Sequence, residues 1–262
     1  MTTHSPTDTR AFFDYWRFRA DFIGQLSLPQ HHHEANVLAF AALDSLANLW
    51  ALAFNKTDLK KHARRFGEFV ATCAARPDVF DRVSLPYLRW CANTKPPSFP
   101  ANALDILQSY GAPPQPPPPY SWEARKCRSL SDDPTVSTLL ATGLGPVAQA
   151  KDGSGRPLSD WLCDSRFGEI AYREFRCAWL HEGRPGEATH SFNLGTDTEP
   201  TYLTNDYSTP PQINFPVPFL VATLRACIDH FEQLALAKGF DPIPPQYSSQ
   251  TLLAVIDNLD TD

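Results

Sequence analysis

Prolines decide what this chain can fold into. Twenty-five of its 262 residues are proline, and they are clustered: Pro96, Pro97 and Pro100; the run PPQPPPP from Pro113 to Pro119; Pro210, Pro211, Pro216 and Pro218; and Pro242, Pro244 and Pro245. Proline lacks an amide hydrogen and pushes the residue before it away from helical geometry, so regular elements must lie between these clusters. The run at 113–119 reads as a stiff extended spacer. Because the stretches on either side look like complementary helices of one bundle, the expectation is a single α-helical domain over 1–262 with 96–119 as a proline-rich inserted loop.

Between the clusters, apolar spacing is that of helices. Residues 11–24, AFFDYWRFRADFIG, form an aromatic-rich first helix that Gly24 is expected to end. The stretch Val37 to Phe54 is apolar nearly all round and should be a core helix; Asp44 is the only charge inside it and needs a partner. Thr57 and Asp58 are placed to cap the next helix, Leu59 to about Ala75, with Lys60, Lys61, Arg64 and Arg65 turned to water. Residues 219–238 make an amphipathic helix, with Arg225 and Asp229 paired on its outside and Gly239 at its end. The segments 190–195 and 200–206 alternate apolar and polar residues, the pattern of a small β-hairpin. The fold class is therefore mainly α.

Composition excludes several function classes. Hydrophobic residues make up 42% and charged residues 20%, a globular mix that argues against disorder. No apolar run approaches the roughly 20 residues of a bilayer span, and the first residues lack the basic and apolar regions of a signal peptide, so a cytoplasmic protein without membrane contact is expected. A net charge of −6 gives no global field for polyanions; a nucleic-acid site would have to be local. The six cysteines are scattered without a CxxC pair and read as free thiols.

Chemistry concentrates in REFRCAWLHEGR, residues 173–184. A helix from about Ser165 to Glu182 fits the apolar stripe Phe167, Ile170, Ala171, Phe175 and Ala178, with Gly183 and Pro185 as its stop. His181 then stands in the last turn, where outward carbonyls favour a cation. Arg176 lies five residues earlier, and at about 100° per residue the two sit roughly 140° apart on an ideal α-helix, so they share a groove only if the last turn is distorted or a second chain completes the site. Histidine shuttles protons near neutral pH and arginine matches phosphate geometry; together they are equipped to cleave an RNA phosphodiester without a metal. Arg173 and Arg184 are candidates for further phosphate contacts, and Asp44 or Glu34 for holding the arginine.

Arg176-Cys-Ala-Trp-Leu-His181 resembles the Arg, four to six residues, His motif of the HEPN superfamily, and YREFRCAWLHEGR is similar to segments of uncharacterised bacterial HEPN-like proteins. The resemblance implies a HEPN-like helical bundle, a homodimer that brings two motif helices together, and metal-independent endoribonuclease activity on RNA in toxin–antitoxin, anti-phage or RNA-processing systems. Arg176 and His181 are the residues it carries over. Cys177 stands where a small polar residue is common in active members, and Gly183 where one subgroup has a tyrosine that its antitoxin modifies. The alternative is a catalytically silent HEPN-like module that binds an antitoxin or another protein partner. No cofactor is implied. The run His31-His32-His33-Glu34 offers metal-ligand types, but adjacent residues at a helix start point in different directions, so no metal is expected.

Overall fold

The computed structural model describes residues 6–28, 30–56, 59, 61–94, 99–100, 103, 105–106, 128–130, 133–183, 186–189, 198–202, 210–240 and 242. Its helices are α1 (Pro6–Gln25), α2 (His32–Ala53), α3 (His62–Cys73), α4 (Pro77–Phe80), α5 (Leu85–Thr94), α6 (Val136–Leu139), α7 (Leu158–Asp164), α8 (Phe167–Ile170) and α9 (Val217–Lys238). A short π turn, Leu140–Leu144, continues α6, and a longer π-helix, Ala171–Glu182, continues α8; α8 and this π-helix together are the motif helix. Strands β1 (Arg128–Ser129), β2 (Thr201–Tyr202) and β3 (Ile213–Asn214) form one antiparallel sheet in that order.

The chain is mainly α, as its apolar spacing requires, with α2 at the centre of the bundle. This helix packs against α1, α3, α9 and the motif helix, and buries Ala39, Phe40, Leu43, Leu46, Ala47 and Trp50. By length and composition it is the one described helix able to cross a membrane, yet it forms the middle of the core. A relay of rings fixes the motif helix against it: Phe40 meets Phe175 at 5.5 Å, and Phe175 meets Phe215 beyond β3 at 5.0 Å. Ring pairs in these offset and edge-on geometries each contribute about 0.5–1.5 kcal/mol beyond the area they bury.

Helix α1 lies along α9, with Phe13 edge-on to Phe231 at 5.3 Å. This crossing corrects two expectations. Arg225 and Asp229 do not pair with each other: Arg225 reaches Asp21 at 2.7 Å, and Asp229 accepts from Arg17 at 2.8 Å. The partner across the interface lies closer than the one along the same helix. Gly24 does not end α1, which runs to Gln25; a Cβ there would make an ordinary contact with Val221 of α9 at 3.4 Å.

The β element after the motif helix is present as β2, paired with β1 and β3. The expected partner segment, 190–195, lies outside the described residues, as do the PPQPPPP run and the caps Thr57 and Asp58. Within 96–119, Phe99 is buried edge-on to Trp161 at 5.3 Å. None of the five cysteines among the described residues is in a disulfide.

Candidate functional site

The motif helix begins in a closely packed junction. A Cβ on Gly168 would fall 2.7 Å from the Cα of Gly67, so α3 and the motif helix touch backbone to backbone. That contact admits the fully buried Glu169, whose carboxylate accepts from Arg166 Nε at 3.1 Å and from Arg64 Nη1 at 3.4 Å. Arg64 therefore faces inward, not water: it also reaches Asp164 at 3.0 Å, because its long stem can carry the charge to a site already rich in carboxylates. Arg166 adds Glu68 at 2.7 Å and Asp81 at 3.2 Å. Burial raises the carboxyl of Glu169 despite these cations.

The other end is built differently. From Ala171 the helix winds with each amide bonded five residues back, and it closes at Gly183 in the left-handed region (φ 67°), the stop that its sequence position leads one to expect. Residues five apart are thereby brought near each other. Arg176 Nη1 donates to His181 Nε2 at 3.1 Å, uniting the two residues that ideal α winding would separate. The other guanidinium nitrogen, Nη2, lies 2.7 Å from Asp44 Oδ2. Asp44, the lone charge of α2, thus finds its partner in Arg176. Partial burial works against the charge of Arg176, but Asp44, Tyr172 and Cys177 together outweigh it and the guanidinium pKa is raised. His181 is exposed, whereas the Arg176 side chain is 20% and that of Asp44 10% exposed.

Tyr172 completes the setting. Its ring lies under the guanidinium at 5.3 Å, a cation–π contact, and its hydroxyl is pushed up to about 12 by burial and then by Asp44. Cys177 is half-buried, with its thiol against Tyr172 and Arg176. Sequence reasoning passed over Tyr172, although its place four residues before Arg176 on a helix was a usable signal.

The remaining expected site residues lie elsewhere. Arg173 donates to the Asp164 carbonyl and stands over the Tyr87 ring at 6.0 Å. Arg184 lies outside the described residues. Glu34 is exposed in the first turn of α2, 3.9 Å from His31 and ten residues, or about 15 Å of helix, from Asp44. The histidine run diverges: His31 faces Glu34, His32 contacts the Asn36 amide at 3.1 Å, and His33 packs on Trp179 at 4.4 Å. Among the described residues no group of three or more His, Cys, Asp or Glu side chains is arranged to hold a metal. Comparison of the chain with protein-family models, with curated proteins and with solved structures returned no match.

Proposed function

We propose that the protein is a HEPN-like, metal-independent endoribonuclease that cleaves RNA phosphodiesters as a cytoplasmic homodimer, in a toxin–antitoxin or anti-phage system. The single observation that carries this reading is the 3.1 Å contact between Arg176 and His181 on a guanidinium anchored by Asp44. In this reading His181 takes the proton of the ribose 2′-hydroxyl as that oxygen attacks phosphorus. The bond from phosphorus to the 5′-oxygen breaks, the departing oxygen receives a proton from water, and a 2′,3′-cyclic phosphate remains. Arg176 faces the negative charge that builds on the phosphoryl oxygens, the role in which a preorganised cation lowers a barrier most. A positioned acid–base group contributes about 10²–10⁴-fold. Asp44 and Tyr172 are positioning residues: one holds Nη2, the other supports the guanidinium face.

The test is cleavage of single-stranded RNA in EDTA by the wild-type chain, His181→Ala and Arg176→Ala. Wild-type cleavage that falls by about 100-fold or more in both variants supports the reading. Equal cleavage by wild type and His181→Ala, or none by either, rejects it. Light-scattering mass in solution tests the dimer, and a monomer at working concentration removes that part.

A further inference from the structure

We infer that residues 248–260 form an amphipathic helix that docks in an apolar groove between α1 and α2 of the same chain. The groove is lined by Trp16, Arg19 and Phe22 of α1 and by Leu38, Ala41 and Ser45 of α2. Its volume is about 140 Å³, below the roughly 300–1,000 Å³ of a small-molecule site, so it suits a few aliphatic side chains instead. Phe22 is 50% exposed at its rim, and Phe18 on α1 and Leu52 on α2 stand out at 64% and 76%. The exposed Ser45, the half-buried Leu49 and Leu52 follow at helical spacing, so the α2 wall continues as a stripe toward the end of that helix. Apolar surface gathered on one side in this way marks a place that another element covers. The docking stands apart from the chemistry of Arg176 and His181.

Pattern, reach and charge select the occupant. The stretch SSQTLLAVIDNLD, residues 248–260, lies outside the described residues; in its sequence Leu252, Val255, Ile256 and Leu259 share one helical face, the spacing of anchors on a helix laid in a groove, and Ser248 and Ser249 are N-cap types. Its tether starts in the right place. Helix α9 ends beside the end of α2, where Phe240 packs on Phe54 at 6.1 Å and Lys238 lies over the same ring at 4.7 Å. From Phe54 back to Ser45 is about 14 Å of helix rise. The connector IPPQY, residues 243–247, spans about 15 Å in extended proline-rich form. From there, Leu252 to Leu259 on the segment and Ser45 back to Leu38 on α2 each extend about 10 Å, so anchors and groove match in length. Charge matches too. Arg17 meets Asp14, Asp229 and Glu232, and Arg225 meets Asp21, whereas among the described residues no carboxylate pairs with Arg19 in the groove wall. Asp257 and Asp260 border the apolar face of the segment and supply that carboxylate. A tether this short holds the segment at about millimolar local concentration, which favours it over a second copy of the chain.

Hydrogen exchange of the full chain, read by mass spectrometry, tests the docking. Amides of 252–259 should exchange slower than the free-chain rate by about tenfold or more. Leu252→Asp combined with Ile256→Asp should abolish that protection and leave α9 protected, because both changes lie outside the bundle. Ser45→Glu, which sets a carboxylate in the groove at an exposed position, should abolish it as well. Arg19→Glu should speed exchange of the segment by about two- to fivefold, and adding Asp257→Arg and Asp260→Arg should restore the slower rate. Free-chain exchange of 252–259 in the wild type, or protection that Ser45→Glu leaves unchanged, overturns the docking. Phe22 replaced by photoreactive benzoylphenylalanine, in a mixture of isotope-labelled and unlabelled chains, identifies the occupant. Cross-links to 252–259 within one chain are expected. Cross-links only between chains would put a second copy in the groove, and cross-links only to other segments would leave 252–259 outside it; either result overturns the proposal.

Discussion

The two ends of the motif helix use the same residue types for opposite purposes. At its start, Arg166 meets Glu169, Glu68 and Asp81, and its side chain is 7% exposed. At its end, Arg176 meets a single carboxylate, Asp44, and shares its other terminal nitrogen with an exposed histidine. The first cation has more acceptors than it needs and no access for a ligand. The second is held firmly on one side and open on the other. Stability and reactivity here differ through the supply of acceptors and the reach of solvent, not through the kind of side chain.

The largest expected effect breaks the first end. Glu169→Ala leaves Arg166 and Arg64 without the carboxylate between them and should cost about 3–5 kcal/mol, read as a lower urea midpoint; a loss below about 1 kcal/mol would show that the remaining carboxylates compensate. Gly168→Ala forces two backbones apart and should cost about 1–3 kcal/mol in the same assay. At the other end, Asp44→Ala leaves Arg176 part-buried without its carboxylate; about 1–3 kcal/mol is expected, together with loss of RNA cleavage. If stability falls but cleavage is retained, Asp44 is only structural.

Acid sharpens the comparison. Asp152, beside the start of α7, is held at about 2: burial would raise its carboxyl, but hydrogen bonds from Ser154, Arg156 and Trp161 outweigh burial. Its pKa is lowered on folding, so its contribution is complete above the ordinary carboxyl range near 4 and is lost as pH falls toward 2. Stability of Asp152→Asn should therefore depend on pH less than wild type over that window, and parallel curves would refute this. The smallest effect is His181→Ala, whose exposed ring should change stability by less than about 0.5 kcal/mol while cleavage is abolished, separating the two ends most cleanly.

Five of the helices were legible because each carries an apolar stripe long enough to show its period. The short α4, α5, α6 and α7 were not: α5 reads LPYLRWCANT and buries Arg89, so neither proline placement nor polarity marks it. That Asp44 needed a partner was legible from the cost of burying a lone charge, and Asp44 or Glu34 was the expected support for the motif arginine; which of the two acids reaches Arg176 was not legible, because that depends on the rotation of another helix. The π winding left no trace either. Phe167, Ile170, Ala171, Phe175 and Ala178 have ordinary α spacing, and no proline or glycine lies within Ala171–Glu182. The contact between Arg176 and His181 was legible only as a condition, a distorted last turn, that nothing in the residues announces.

That winding gives the motif a tolerance in length. Residues four apart meet on an α-helix and residues five apart on a π-helix, so the number of residues between the arginine and the histidine is absorbed by the pitch of the backbone and not by the geometry of the pair. A chain shortened by one residue between Cys177 and His181 could keep the same two side chains together by rewinding this turn as α. Spacing and pitch are then coupled variables, and the contact between the two side chains is what stays constant.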